Sequence, residues 1–292
     1  MTLPMPALLS TLMPFMNLKT RRRKNILDPE NAKKELLTFY PSGKETDRPP
    51  DMEVMIHVSE KGLGTLGHCD ICFEGEVLSY GSYDLDTVSL FGGVGDGILI
   101  VAKKEPYVRF YVTATPREIY SYGFRLNENQ KQAVKEEIAK IKEMVFPWDP
   151  PLSNVVKDNP DAKGESVFDW GSKMWNCTGS NFYKFNSGKM KTYFAVTSNC
   201  VMMVDGIVRK ACSDTTAPRT VLTPGVYYDY LEHLLAMVGS PVFCRNIYNA
   251  ESTEGWNYTP RIPYSSPELE KMTETEANHR AKKQKGDKTE NK

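Results

Sequence analysis

Short runs rich in apolar residues, separated by turn residues, follow one another along the middle of the chain and predict strands. These runs are residues 53–58, 68–73, 76–80, 98–102 and 107–113. Gly75 separates two of them and predicts a hairpin turn, and a glycine-rich turn that ends at Gly67 precedes the hairpin. We also expect a strand pair over residues 181–197.

Three later segments switch to the helical period, and each starts at a residue that favours helix N-caps: Asn127, Asn199 and Thr223. The third is framed by Pro224 in its first turn and Gly239 as its stop, with an apolar stripe that reaches Val238. Prolines predict a loop insertion at about residues 147–171. This order of elements predicts an α+β fold, an antiparallel sheet flanked by helices.

Composition and charge narrow the class of protein. The 292 residues include 37 basic and 37 acidic side chains, so bulk electrostatic binding of nucleic acid is not expected. An apolar stretch over residues 2–18 is too short for a membrane span and is broken by Pro14. The basic run that follows it lies on the wrong side for a secretory signal. We therefore expect synthesis in the cytoplasm, and any export to use another route.

The same features divide the chain into three parts. Residues 1–50 are expected to form an N-terminal arm, residues 51–265 the folded domain, and residues 266–292 a charged, disordered tail.

Neither metals nor cofactors are expected. The six cysteines are too scattered for a disulfide scaffold. Cys69 and Cys72 are three apart in a predicted strand and point to opposite faces, so they are poorly placed to share a metal ion. Residues 92–97 are glycine-rich, but a strand rather than a helix follows them, which excludes a dinucleotide fingerprint.

Cys200 is the strongest candidate for chemistry. It opens a predicted helix, where unpaired backbone N–H groups and the helix dipole favour a thiolate. A thiol nucleophile also needs a base. Of the four histidines, His68 is the best placed, because it opens a strand directly after a glycine-rich turn.

These positions also form a set of motifs: Gly67–His68, Tyr80–Gly81 and Asn199–Cys200, with Arg117 and Thr223–Pro224 as further points of likeness. The set resembles the circularly permuted papain-like enzymes, the group of NlpC-type amidohydrolases and lecithin:retinol acyltransferase-like proteins, in which histidine precedes cysteine. The resemblance covers roughly residues 54–238. It implies a papain-like fold and a Cys–His dyad.

The resemblance also implies a third polar group on the strand after the histidine, which would hold the imidazole in the right tautomer. If the hairpin turn takes three residues, His68 shares its face with Tyr80 and Asp84. A two-residue turn places Ser79 and Tyr83 there instead. We expect Tyr80 in this role and Asp84 as the second choice, since a phenol or a carboxylate accepts from an imidazole N–H.

The expected function is therefore a cysteine hydrolase that cleaves an amide bond, with peptidoglycan stem peptides as the substrate class and an antibacterial effector as the biological setting. Two alternatives stay open at this point. The same thiol chemistry serves acyl transfer from lipid or hydrolysis of a thioester or isopeptide. A binding module in which Cys200 is only packed is the non-catalytic alternative.

Overall fold

A computed structural model describes residues 38–41, 48–57, 67–89, 93–115, 117–151, 170–212, 223–257 and 261. The strands within these residues are β1 (Thr38–Phe39), β2 (Met52–His57), β3 (His68–Phe73), β4 (Glu76–Gly81), β5 (Val94–Asp96), β6 (Ile98–Lys103), β7 (Ile119–Phe124), β8 (Val145–Pro147), β9 (Asn181–Phe185), β10 (Thr192–Phe194) and β11 (Val242–Tyr248). The helices are α1 (Lys104–Ala114), α2 (Glu128–Glu143), α3 (Trp170–Thr178), α4 (Cys200–Ala211) and α5 (Pro224–Ala236).

One large antiparallel sheet organises the described residues. Its strands lie in the order β1-β11-β7-β2-β3-β4-β6-β9-β8, while β10 and β5 form a separate two-stranded ribbon. Helices cover both faces of the large sheet, so the expected α+β class with a flanked antiparallel sheet is confirmed.

The two faces of the sheet carry separate apolar cores. Ile71 and Leu78 point to the face on which α2, α4 and α5 pack. Val77 and Ile100 point to the other face, which α1 and α3 cover. Because neighbouring residues of a strand alternate between faces, each polar side chain in β3 belongs to one core or the other.

The β3–β4 hairpin is confirmed, and its turn takes two residues. Phe73 pairs with Glu76 across the turn. Glu74 and Gly75 both have positive φ, 50° and 81°, as the turn type that matches the twist of two-residue hairpins requires. The shorter of the two turns considered from the sequence is therefore the one that forms.

The predicted helix starts are also confirmed. Asn127 and Gln130 form a reciprocal capping box at α2. The side chains of Asn199 and Thr223 accept backbone hydrogen bonds from the first turns of α4 and α5, respectively. These caps satisfy N–H groups that a helix start otherwise leaves without a partner.

Residues 107–113 were expected to form a strand, and this is wrong, because they lie in helix α1. The run is rich in β-branched and aromatic residues, which favour strands. In the structure it packs between the sheet and α3, so nearly every side of the helix is apolar and the helical period is hidden.

Smaller differences from the expectation concern pairing and boundaries. The segments at 181–185 and 192–194 do not pair with each other: β9 lies between β6 and β8, and β10 pairs with β5. Val238 is exposed beyond the end of α5 rather than part of its buried stripe. Thr38–Phe39, assigned to the arm, is an edge strand of the sheet.

Two predicted segments are only partly described. In the expected loop insertion at 147–171, residues 152–169 lie outside the described residues, and α3 begins at Trp170. Almost all of the expected arm and all of the expected tail at 266–292 also lie outside them.

Candidate functional site

A buried carboxylate, Asp70, lies at the centre of the site. It occupies the third position of β3 and is completely enclosed. His68, Asp70 and Cys72 alternate with Cys69 and Ile71, so the carboxylate faces α1 rather than α4. An isolated charge in such an apolar layer is costly, so its partners decide whether it stays ionised.

Three side chains surround Asp70. The Nε2 atom of His57 lies 2.6 Å from Oδ2, and the Tyr107 hydroxyl on α1 donates to the same oxygen at 2.6 Å. The other oxygen, Oδ1, lies 2.8 Å from Nε2 of His68. His57 and His68 are directly opposite each other in the pairing of β2 with β3, which brings both rings to one carboxylate.

His68 has a second partner at the same ring nitrogen. Its Nε2 atom also lies 2.8 Å from the Ser79 hydroxyl on β4. Because the N–H group at Nε2 points toward Ser79, the contact of His68 with Asp70 is an ion pair rather than an aligned hydrogen bond. The Tyr83 hydroxyl lies 3.4 Å from that of Ser79. The polar group on the strand after the histidine is therefore Ser79.

The charge of Asp70 favours the protonated form of the His68 ring. Burial disfavours the charged ring, but the carboxylate of Asp70 outweighs it and raises the pKa of His68 well above its ordinary value. For His57, which is fully enclosed, burial prevails and the pKa is lowered. The two histidines in turn overcome the effect of burial on Asp70 and hold the pKa of its carboxyl below the ordinary value.

Cys200 is the first residue of α4, as predicted, with Asn199 as the cap. Its side chain packs in the core on the α4 face together with Cys69, the residue after His68. A charge on Cys200 would raise the pKa of His68, so the two groups lie close enough to interact. Within the described part of the chain, however, no hydrogen bond joins the thiol to the ring, and the cysteine is only 2% exposed.

The structure therefore brings Cys200 and His68 to the same end of β3, but from opposite faces of the sheet. His68 is the first residue of the strand, at the margin where the two faces meet. The start of α4 reaches this margin, since Ser198 lies 3.4 Å from the hydroxyl of Tyr80 on β4.

Among the described residues, neither Tyr80 nor Asp84 forms a hydrogen bond or an ion pair with His68, contrary to the expectation for both. With the two-residue turn, Tyr80 points to the α4 face, where its hydroxyl donates to the carbonyl oxygen of Met190 at 3.0 Å. Asp84 instead forms an ion pair with Lys184 at 2.5 Å. The residue that holds His68 by charge is Asp70.

The sequence did contain a signal for Asp70. Residues two apart in a strand share a face, so His68 and Asp70 form a histidine–carboxylate pair on any register of β3. The sequence favours His68 over the other three histidines, His57 among them, and it predicts a strand rather than a helix for Tyr107. Their convergence on Asp70 follows only from the pairing of β2 with β3 and from the position of α1.

Other kinds of site receive no support from the described residues. No group of three histidine, cysteine or acidic side chains among them is placed to hold a metal ion. In the glycine-rich segment 92–97, Gly97 serves close packing, since a Cβ atom on it would lie 1.9 Å from the carbonyl oxygen of Met190. Among the described helices, none has the length and apolar character needed to cross a bilayer.

Comparisons of the chain with protein-family models, curated proteins and solved structures give no match. Its chemistry therefore has to be inferred from the side chains and distances described above.

Proposed function

We propose that this protein is a cysteine hydrolase that cleaves an amide bond, with Cys200 as the nucleophile and His68 as the base. The observation that carries the proposal is the buried ion pair of His68 with Asp70, placed at the end of β3 where the helix of Cys200 begins. An imidazole fixed by a carboxylate beside a thiol at a helix start is the arrangement that thiol catalysis needs.

The proposed roles depend on which ring nitrogen of His68 already contacts other side chains. Nε2 of His68 is held between Asp70 and Ser79, so Nδ1 is the ring nitrogen left for the thiol. In the proposed resting state the thiol proton resides on Nδ1, so that the pair is a thiolate and an imidazolium. Asp70 favours this charged ring, and the backbone N–H groups at the start of α4 favour the thiolate.

The reaction would then proceed in two halves. The thiolate attacks the amide carbon, and the backbone N–H of Cys200 stabilises the oxyanion that forms. The imidazolium protonates the leaving amine, which leaves a thioester on the sulfur. His68 next removes a proton from water, and the resulting attack releases the acid and restores the thiol.

The structure represents a state in which this site is closed. Because Cys200 is 2% exposed and makes no hydrogen bond to His68 within the described residues, a substrate has to displace the side chains packed over the sulfur. Tyr80 and Tyr193, whose ring centroids lie 5.5 Å apart, are packed on this side. Both phenols stay protonated near neutral pH, since burial raises their pKa, that of Tyr80 to about 12.

We further propose that the fold is papain-like and circularly permuted, since the histidine strand β3 precedes the cysteine helix α4 in the chain. The resemblance suggests peptide amides, those of peptidoglycan in particular, as the substrate class. On this proposal the protein is made in the cytoplasm and acts on a cell wall after export.

The test uses purified peptidoglycan, with release of peptides followed by mass spectrometry. We expect Cys200→Ala and His68→Ala to abolish release. Cys244→Ala and His233→Ala are matched controls, since Cys244 is a buried cysteine on β11 and His233 an exposed histidine on α5. Full activity in either site variant would overturn the assignment.

Labelling of Cys200 with iodoacetamide near neutral pH tests the nucleophile independently of the substrate. A thiolate paired with an imidazolium reacts faster than a free cysteine at that pH. A rate no faster than that of free cysteine, together with no release from peptidoglycan, would favour the packed, non-catalytic alternative. An acyl adduct on Cys200 from lipid instead of muropeptide would replace the proposed hydrolysis with acyl transfer.

A further inference from the structure

The two oxygens of Asp70 have unequal surroundings. Oδ2 receives two short contacts, from Nε2 of His57 and from the hydroxyl of Tyr107, each at 2.6 Å. Oδ1 accepts no aligned hydrogen bond within the described residues and has Nε2 of His68 as its ion-pair partner at 2.8 Å. Two donors on one oxygen fix the plane of the carboxylate and turn its other oxygen toward His68.

We propose that His57 and Tyr107 are positioning residues for the base, which hold Asp70 ionised and oriented toward His68. The inference rests on the proposed function of His68, but it makes a separate claim about which groups set the charge of that ring. Neither residue touches the thiol or the expected site of a substrate in the described structure.

His57 is suited to donate a hydrogen bond without carrying a charge. One carboxylate faces two imidazoles, and a second positive charge in the same enclosed space is disfavoured. His57 also faces Arg117, whose charge opposes its protonation, and lies against the ring of Tyr111 at a centroid distance of 3.9 Å. A neutral His57 that donates through Nε2 leaves Nδ1 unprotonated, and that atom has no partner among the described residues.

The charge of His68 depends on these donors through Asp70. A fully buried carboxyl group favours its neutral form unless hydrogen bonds and charges compensate. If His57 or Tyr107 no longer donates, the carboxyl group of Asp70 favours its protonated, neutral form. His68 is then neutral at a pH at which it is charged in the unmodified protein. The other groups that act on His68 are Asp70, Tyr83 and Cys200, which substitution of His57 or Tyr107 leaves in place. The ring of His57 also lies against that of His68, at a centroid distance of 5.6 Å, whereas Tyr107 reaches His68 only through Asp70.

Ordinary core packing is the alternative role for His57 and Tyr107, and three substitutions separate the two. His57→Leu removes the donor and fills the space. His57→Gln keeps an N–H group at a similar reach. Tyr107→Phe removes one oxygen and leaves the apolar packing of α1 in place.

The experiment is an NMR titration of the ring protons of the full chain, which is tractable because the protein has four histidines. We expect His68 to titrate well above the ordinary value of 6.5 in the unmodified protein. Its pKa should fall by about one unit or more in His57→Leu, by less in Tyr107→Phe, and stay high in His57→Gln.

A pKa of His68 that is unchanged in a folded His57→Leu protein would overturn the inference. If that variant fails to fold, the same result in Tyr107→Phe overturns it. The measurement needs no substrate, so it is separable from the proposed function. An inert Cys200 with a His68 pKa that still depends on His57 contradicts the hydrolase and supports the positioning role.

Discussion

Asp70→Asn is the most informative single change, because it removes one charge from the centre of the site with almost no change in shape. The wild-type carboxylate is fully buried and contacts two histidines and one tyrosine at 2.6 to 2.8 Å. The oxygen of an amide at this position can still accept hydrogen bonds from His57 and Tyr107. What it cannot do is balance the charge of His68.

The pKa shifts define the pH range in which this charge pair stabilises the fold. The pKa of Asp70 is lowered from 3.8, so its contribution is present above about pH 4 and is lost as the pH falls further. The pKa of His68 is raised from 6.5, so its contribution is complete below that pH and is lost as the pH rises through the raised value. Both contributions are therefore present together between about pH 4 and pH 6.5.

The expected cost follows from the burial of the pair. Loss of one partner of a buried pair costs about 3–5 kcal/mol, and the low end applies here because His68 can release its proton. We expect Asp70→Asn to lower the free energy of unfolding by about 3 kcal/mol at pH 5.5. The loss should fall as the pH is raised from 5.5 toward 9.5. Once His68 has lost its proton, hydrogen bonds from His57 and Tyr107 to a charged acceptor account for about 1–2 kcal/mol of remaining loss.

Urea unfolding at the two pH values measures this difference. Asp84→Asn is the matched control, since Asp84 is also a buried carboxylate but pairs with Lys184. The pKa of Lys184 is raised above 10.5, so the lysine is charged at both pH values and the cost of the control substitution should not change between them. Equal losses for Asp70→Asn before and after His68 loses its proton would refute the charge-pair reasoning.

Two further predictions concern the scaffold around the site. Gly97→Ala should lower the free energy of unfolding by about 2–3 kcal/mol, because a Cβ atom there would lie 1.9 Å from the backbone carbonyl oxygen of Met190. An unchanged free energy of unfolding in urea would show that Gly97 and Met190 lie farther apart than described. Asn127→Ala should cost about 1 kcal/mol through loss of the capping box with Gln130. A melting temperature equal to that of the unmodified protein would count against the cap.

The parts of the fold that the sequence predicted correctly have local causes. Helices α2, α4 and α5 begin at residues whose side chains cap them, and such caps act over three or four positions. The β3–β4 hairpin likewise depends on Gly75 and its neighbours. In contrast, the pairing of β9 with β6 and β8 depends on residues far apart in the chain, and no local pattern encodes it.

The role of Asp70 was not predicted, because the segment that covers it was assigned to the wrong element. His68 and Asp70 are visible as a same-face pair in β3 from the alternation of the strand alone. The importance of the pair depends on what covers that face, and the segment 107–113 that covers it was expected to be a strand. In the structure this segment is helix α1, which covers the face with apolar side chains. A carboxylate enclosed there is costly unless hydrogen-bond donors surround it. His57 and Tyr107 are those donors. The position of Asp70 at the centre of the site could therefore be predicted only with helix α1 assigned correctly.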